Sequence, residues 1–167
     1  MIRCTVDTNV PIVANGRRDS NEGGKTPSVD CRLAAVEFLQ SLVESGMIVL
    51  DLEGEIQAEY RTYLNPKGEP GVGDRFYREV LNSAPHLVER VELPRRADGE
   101  YADLPQPLID AQFDSGDRKF AALAKREKMP VFNATDGDWV DHHPALEENG
   151  VMVEFLCGCD KTKWFTT

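Results

Sequence analysis

At 167 residues the chain is long enough to bury a real core, and 41% hydrophobic with 29% charged residues is the profile of a folded globular protein rather than a disordered one. A formal net charge of −10 excludes a broadly basic surface for nucleic acid, though not nucleic-acid chemistry at a metal held by carboxylates. No apolar run reaches membrane-spanning length and no secretory pattern opens the chain, so a cytoplasmic protein without membrane contact is expected.

In chain order, residues 2–6 read as a buried strand ending in Asp7. Residues 15–27 (NGRRDSNEGGKTP) are polar and glycine-rich and read as a loop. From Ser28 the pattern turns helical, with Leu33, Val36, Leu39 and Val43 at helical spacing and Gly46 closing the element. A short strand at 47–50 and a helix at 52–64 follow, broken by Asn65-Pro66-Lys67-Gly68. A further helix is predicted at 74–82 and an alternating strand at 87–93. Residues 94–107 are irregular, 115–127 form a strong helix, 130–133 a strand, 145–149 a short helix and 151–156 the last strand. Short apolar strands alternating with helices predict a parallel sheet covered by helices on both faces, in one domain spanning 1–167 with loop insertions near 15–27 and 94–107 and a tail at 157–167.

Of the four cysteines, Cys4 in its strand and Cys31 at the start of a helix read as buried thiols. Cys157-Gly-Cys159 lacks the second pair that a structural zinc site needs.

Ligands of such sheets bind outside the carboxyl ends of the strands, so acids there carry weight. Asp7 follows the first strand, and alone it would be read as a helix cap. Glu59 lies on a helical face with Leu52, Ile56 and Tyr63, where a carboxylate needs a partner or a metal. Asp117 heads a helix whose Ala121 and Ala124 allow close packing, and Asp114 precedes it by three residues. Asp136 ends the fourth strand, with Asp138 two residues on. Taken together, four carboxylates gathered at one sheet edge repel one another unless a cation neutralises them, and all-oxygen ligands suit Mg²⁺ or Mn²⁺.

The ordered set resembles the PIN domain family of metal-dependent ribonucleases, which includes many bacterial toxins. The strand ending in D-x-N is Val6-Asp7-Thr8-Asn9, the helical Glu followed by Tyr is Glu59-Tyr60, the Asp heading a small-residue helix is Asp117, and the closing motif is similar to Thr135-Asp136-Gly137-Asp138-Trp139. Ala134 stands where that family usually has Thr, and Trp139 where it has Phe. The resemblance implies a three-layer α/β/α sandwich around a parallel sheet of about five strands. It implies hydrolysis of phosphodiester bonds in single-stranded or structured RNA by metal-activated water, with Asp7, Glu59, Asp117 and Asp136 as catalytic metal ligands. Asp114 and Asp138 would be secondary ligands or support the ligands from behind, Asn9 would position Asp7 or a bound water, and Thr135 would lie behind the ligands or touch substrate. It also implies an antitoxin and a homodimer as partners to test. Two rival readings are a non-catalytic PIN-like binding module and a metal-dependent phosphoesterase acting on a small substrate.

The remaining signals are weaker. Arg17, Arg18 and Lys25 leave from the acid end of the sheet and are candidates for phosphate contact. Lys119, Lys125, Arg126 and Lys128 read as a solvated helix face, and His142-His143 as exposed loop residues. No phosphate-cradling or dinucleotide fingerprint occurs.

Overall fold

The computed structural model describes residues 1–16 and 25–166. The proposed phosphate contacts Arg17 and Arg18 lie outside the described residues. Strands β1 (Arg3–Val6), β2 (Met47–Asp51), β3 (Val88–Val91), β4 (Val131–Asn133) and β5 (Val153–Phe155) form one parallel sheet in the order β3-β2-β1-β4-β5. Helices α1 (Asn9–Ala14) and α2 (Val29–Ser45) link β1 to β2; α3 (Glu55–Tyr63) and α4 (Val72–Asn82) link β2 to β3. Helices α5 (Gln106–Asp110) and α6 (Arg118–Glu127) precede β4, and α7 (Gly137–Asp141) and α8 (His143–Glu148) precede β5. The result is a three-layer α/β/α sandwich. Helices α1, α2 and α4 pack on one another in one layer, and α6 packs against β1 and β4 in the other.

The strand order places a topological switch between β1 and β4. The chain builds outward from β1 to β2 and β3, then returns to lay β4 on the other side of β1. Connections from two consecutive windings separate at that point and leave a crevice at the strands' carboxyl ends. Thr5 pairs with Val131 and Val6 with Phe132, and the Asp7 amide donates to the Phe132 carbonyl at 3.0 Å. The segments following β1 and β4 therefore emerge side by side.

Several local features depart from the sequence pattern. Helix α2 buries Cys31, Ala35, Phe38, Leu39 and Leu42; of the predicted stripe Leu39 is buried, Val36 and Val43 pack at the edge of the core, and Leu33 is exposed, so the core face is shifted toward Ala35 and Phe38. Helix α3 begins at Glu55 rather than at 52, because both oxygens of the buried Asp51 accept the amides of Glu55 and Ile56, at 2.8 and 2.9 Å. That is the work of a cap, done from the end of β2. Three short helices, α1, α5 and α7, were not expected. In α1, Pro11 sits in the first turn, where no intrahelical amide bond is lost. In α7, the Asp136-Gly137 pair opens a helix instead of a turn, with the Asp136 carboxylate accepting the Asp138 amide.

The seam between α1 and α4 is tight. The carboxylate of the fully buried Asp74 takes the Asn15 side-chain amide and the backbone amides of Asn65 and Gly71, while the Asp74 amide donates back to the Asn15 oxygen. Beside it a Cβ on Gly73 would meet the Pro11 carbonyl oxygen at 1.9 Å.

The tail folds back onto the start of α2. Residues Pro27 and Phe165 form an antiparallel bridge, the Ser28 amide donates to the Trp164 carbonyl, and the Trp164 indole is buried with its N–H on the Gly158 carbonyl. Cys31 and Cys157 form a disulfide across 126 residues. This corrects the reading of Cys31 as a free buried thiol; Cys4 is the buried free cysteine and Cys159 an exposed one. Among the described residues no helix is long and apolar enough to cross a membrane.

Candidate metal centre

Asp7, Asp117 and Asp136 each bring a carboxylate oxygen to one point, all within 4.8 Å of one another. Asp7 comes from the residue after β1, Asp136 from the cap of α7 just beyond β4, and Asp117 from the start of α6. Asp117 stands at the N-cap position of its helix but makes no side-chain cap bond there; its carboxyl is spent on the cluster. Asp7 is 3% and Asp117 7% exposed, so two of the three are nearly sealed from water.

The electrostatic consequence is severe. Burial, then the charges of Asp136 and Glu59, hold the Asp7 carboxyl well above its ordinary range, against the Asn9 amide and the Trp139 indole N–H, which favour the ionised form. Burial, then Asp7, Asp136, Asp114 and Asp138, push Asp117 up to about 11. Burial followed by the Asp138 and Asp114 charges raises Asp136 to about 6, opposed by bonds from the Asp138 amide and the Asp117 carboxyl. Such a group ionises fully only when a cation joins it. The donor set is all oxygen and all carboxylate, which fits a hard divalent ion such as Mg²⁺ or Mn²⁺.

The surroundings hold the trio in place. The Trp139 indole N–H donates to Asp7 Oδ2 at 3.0 Å, and the ring, fully buried, packs edge-on against Phe113 at 5.0 Å. A Phe at this position would fill the space without offering a donor. The Asn9 side chain clasps Thr135, donating to the Thr135 hydroxyl at 3.0 Å and accepting the Thr135 amide. This joins the end of β1 to the end of β4. Tyr60, fully buried, donates its hydroxyl to the Val6 carbonyl and anchors α3 beside the same strand end.

Glu59 is placed differently from the three aspartates. The buried residues of α3 are Ile56 and Tyr60, while Leu52 and Tyr63 are exposed, so the stripe expected to carry Glu59 inward is not the buried one. Glu59 is half-buried at the rim, with the Thr8 hydroxyl on Oε2 and the Lys119 ammonium on Oε1 at 2.9 Å. It lies near enough to raise Asp7 by its charge but is not one of the converging trio. Lys119 is thus no part of a solvated face: it is 9% exposed. Thr8 and Lys119 are the two site residues that the sequence reading missed. The only hint of Lys119 lies in its position, two residues after Asp117 on a helix of buried alanines.

Asp114 and Asp138 form an outer ring. Asp138 Oδ2 accepts the Asp114 amide at 2.9 Å, and Asp114 Oδ2 accepts the Gly116 amide at 3.0 Å. His142 and His143 are half-buried rather than exposed. The His142 ring bonds the Asp138 and Ala111 carbonyls, lies 3.1 Å from Asp138 Oδ1 and packs on Phe113, while His143 packs on Phe155. Lys25 lies over the Phe165 ring at 5.6 Å.

A parallel five-stranded sheet in this order, flanked by helices and carrying an acidic trio at its switch point, is a PIN-type fold. A chain of the crystal structure of VapBC2 from Rickettsia felis, bound to a DNA fragment from their promoter, is similar over 93% of the present chain and 98% of its own length. The TM-score is 0.50 and the sequence identity 13%, a likeness of fold. No protein-family model matches the chain, and no curated protein matches it in sequence.

Proposed function

We propose that the chain is a divalent-metal-dependent ribonuclease of the PIN type and the toxin of a toxin–antitoxin pair. The convergence of Asp7, Asp117 and Asp136 carries this reading. Three acids gathered at one sheet edge, two of them buried, destabilise a protein that makes no use of them, and burial with mutual repulsion is what a bound cation relieves. The fold, and a structural neighbour that is itself a VapBC complex, support the toxin side of the proposal and an antitoxin as partner.

In this reading Asp7, Asp117 and Asp136 hold Mg²⁺ or Mn²⁺, with Glu59, Asp114 and Asp138 acting from the rim. Bound there, the ion supplies a low-pKa water and charge stabilisation for the phosphoryl group under attack. The chain's own residues do the rest. Trp139 fixes which Asp7 oxygen is free, Asn9 and Thr135 keep the two strand ends in register, and Thr8 and Lys119 hold the Glu59 carboxylate at the mouth. Arg17, Arg18 and Lys25 remain candidates for contact with the RNA backbone. The cytoplasm is the proposed setting. Its thiol pool opposes the Cys31–Cys157 bridge, and alkylation followed by mass measurement on protein drawn from cells reads which form exists there.

The test is ribonuclease activity with Mn²⁺ on the native protein and on Asp7→Asn. A loss of 100-fold or more, on the order of 3 kcal/mol in the barrier, is expected. Unchanged cleavage by the variant would sink the assignment.

A further inference from the structure

Both oxygens of Glu59 are already occupied by the protein. Oε2 takes the Thr8 hydroxyl, and Oε1 takes the Lys119 ammonium at 2.9 Å. Lys119 also donates to the Gly116 carbonyl, on the turn that leads into Asp117, and its Nζ lies 5.0 Å from the centre of the Phe120 ring. The lysine is 9% exposed, and its side chain leaves α6 beside the acid that the trio uses. A lysine so enclosed is seldom found unless paired, since desolvating it is expensive. Here it is paired with the one member of the four ordered acids that stands apart from the trio.

We propose that Lys119 is a resident cation of the site: it holds Glu59 at the rim and reserves the pocket for a single divalent ion at Asp7, Asp117 and Asp136. The inference rests on the metal-binding reading given above. One divalent ion together with Lys119 neutralises three of the four carboxylate charges. A second ion close to Glu59 would have to displace the ammonium from Oε1 and stand near its positive charge, which like-charge repulsion opposes. Lys119 is in this sense a positioning residue acting through Glu59. Its charge takes the place that a second metal would hold and, unlike a metal, is tethered to the chain.

Mn²⁺ titration, followed by the electron-spin signal of the free ion, reads the stoichiometry directly without any assay of cleavage. The native protein is expected to bind one equivalent, and Asp117→Asn to weaken that binding by at least 100-fold. Lys119→Gln, which removes the charge and leaves a polar side chain one atom shorter, is expected to take up a second equivalent; Lys119→Arg is expected to stay at one. Two equivalents on the native protein, or one on a folded Lys119→Gln, overturns the role of Lys119 while leaving the metal centre standing. Absence of binding to the native protein, or equal binding by Asp117→Asn, overturns the metal centre and this inference with it. Where Lys119→Gln fails to fold by circular dichroism, the native and Lys119→Arg stoichiometries decide.

Discussion

The indole N–H of Trp139 donates to Asp7 Oδ2 at 3.0 Å, tying the residue after the first strand to a helix that begins 130 positions later. Both partners are buried. Trp139→Phe keeps the ring packing on Phe113 but leaves the carboxylate short of a donor. Hydrogen bonds to charged groups contribute about 1.5–3 kcal/mol. A loss of that size is expected in urea denaturation of the Mn²⁺-loaded protein, and a midpoint unchanged within error would show the bond to be idle.

The raised carboxyls give the metal-free protein a pH dependence of definite sign. Asp117 ionises near its ordinary 3.8 when unfolded but only at about 11 when folded, so above pH 4 the folded state holds a proton that the unfolded state has lost. Asp136 does the same up to about 6. The stability these groups lend is therefore complete below about pH 4 and drains away as pH rises towards 11. Melting temperature without metal should fall steadily from pH 5 to 9, and saturating Mg²⁺ should flatten that slope. Parallel curves with and without Mg²⁺ would contradict the site.

The Cys31–Cys157 bridge closes 126 residues. On the chain-entropy view a loop of that size contributes roughly 4–5 kcal/mol by restricting the unfolded chain. Cys31→Ser should lower the melting temperature of the oxidised protein, and a reductant should lower the native protein's melting temperature while leaving that of the variant alone. The tail should also become the first site of limited proteolysis, since Trp164 is held by contacts that run back to Ser28. A native protein indifferent to reductant would refute this.

Gly73 faces Pro11 across the α1–α4 seam. A methyl group there would stand 1.9 Å from a carbonyl oxygen, far inside contact distance. Alanine normally stabilises a helix, but here it must push α1 from α4 and disturb the Asn15–Asp74 clasp. The expected cost is about 1–3 kcal/mol, with the sign opposite to helix propensity. A more stable Gly73→Ala would mean that the seam is looser than described.

What could be read from the chain and what could not divide along physical lines. Strand ends and helix starts announce themselves locally, so Asp7, Asp117 and Asp136 could be placed at one sheet edge from pattern alone. Pairings across long separations leave no local trace. Lys119 lies 60 positions from Glu59 and carried only the signature of a surface lysine. Cys157 lies 126 from Cys31 and offered no register for pairing. The stripe assigned to Glu59 went wrong for a different reason. Leu52 lies outside α3 because Asp51 caps the helix and begins it three residues later than the pattern suggests, and Tyr63 is exposed because the buried face runs through Ile56, Tyr60 and Leu64. Helix α7 was hidden by Asp-Gly, a strong turn signal that here provides a cap and a first residue.

Strand β4 completes the flank of β1, and this has a bearing on synthesis. Protein chains are made from the amino end, so Asp7 appears before its partners. Its partners at 117 and 136 come more than a hundred residues later, and until β4 arrives β1 pairs with β2 on one side and stands as an edge on the other. No amino-terminal fragment ending before residue 136 can assemble the trio, however well its own helices form. A nascent chain therefore carries an incomplete centre until residue 136 has been made and has emerged from the ribosome.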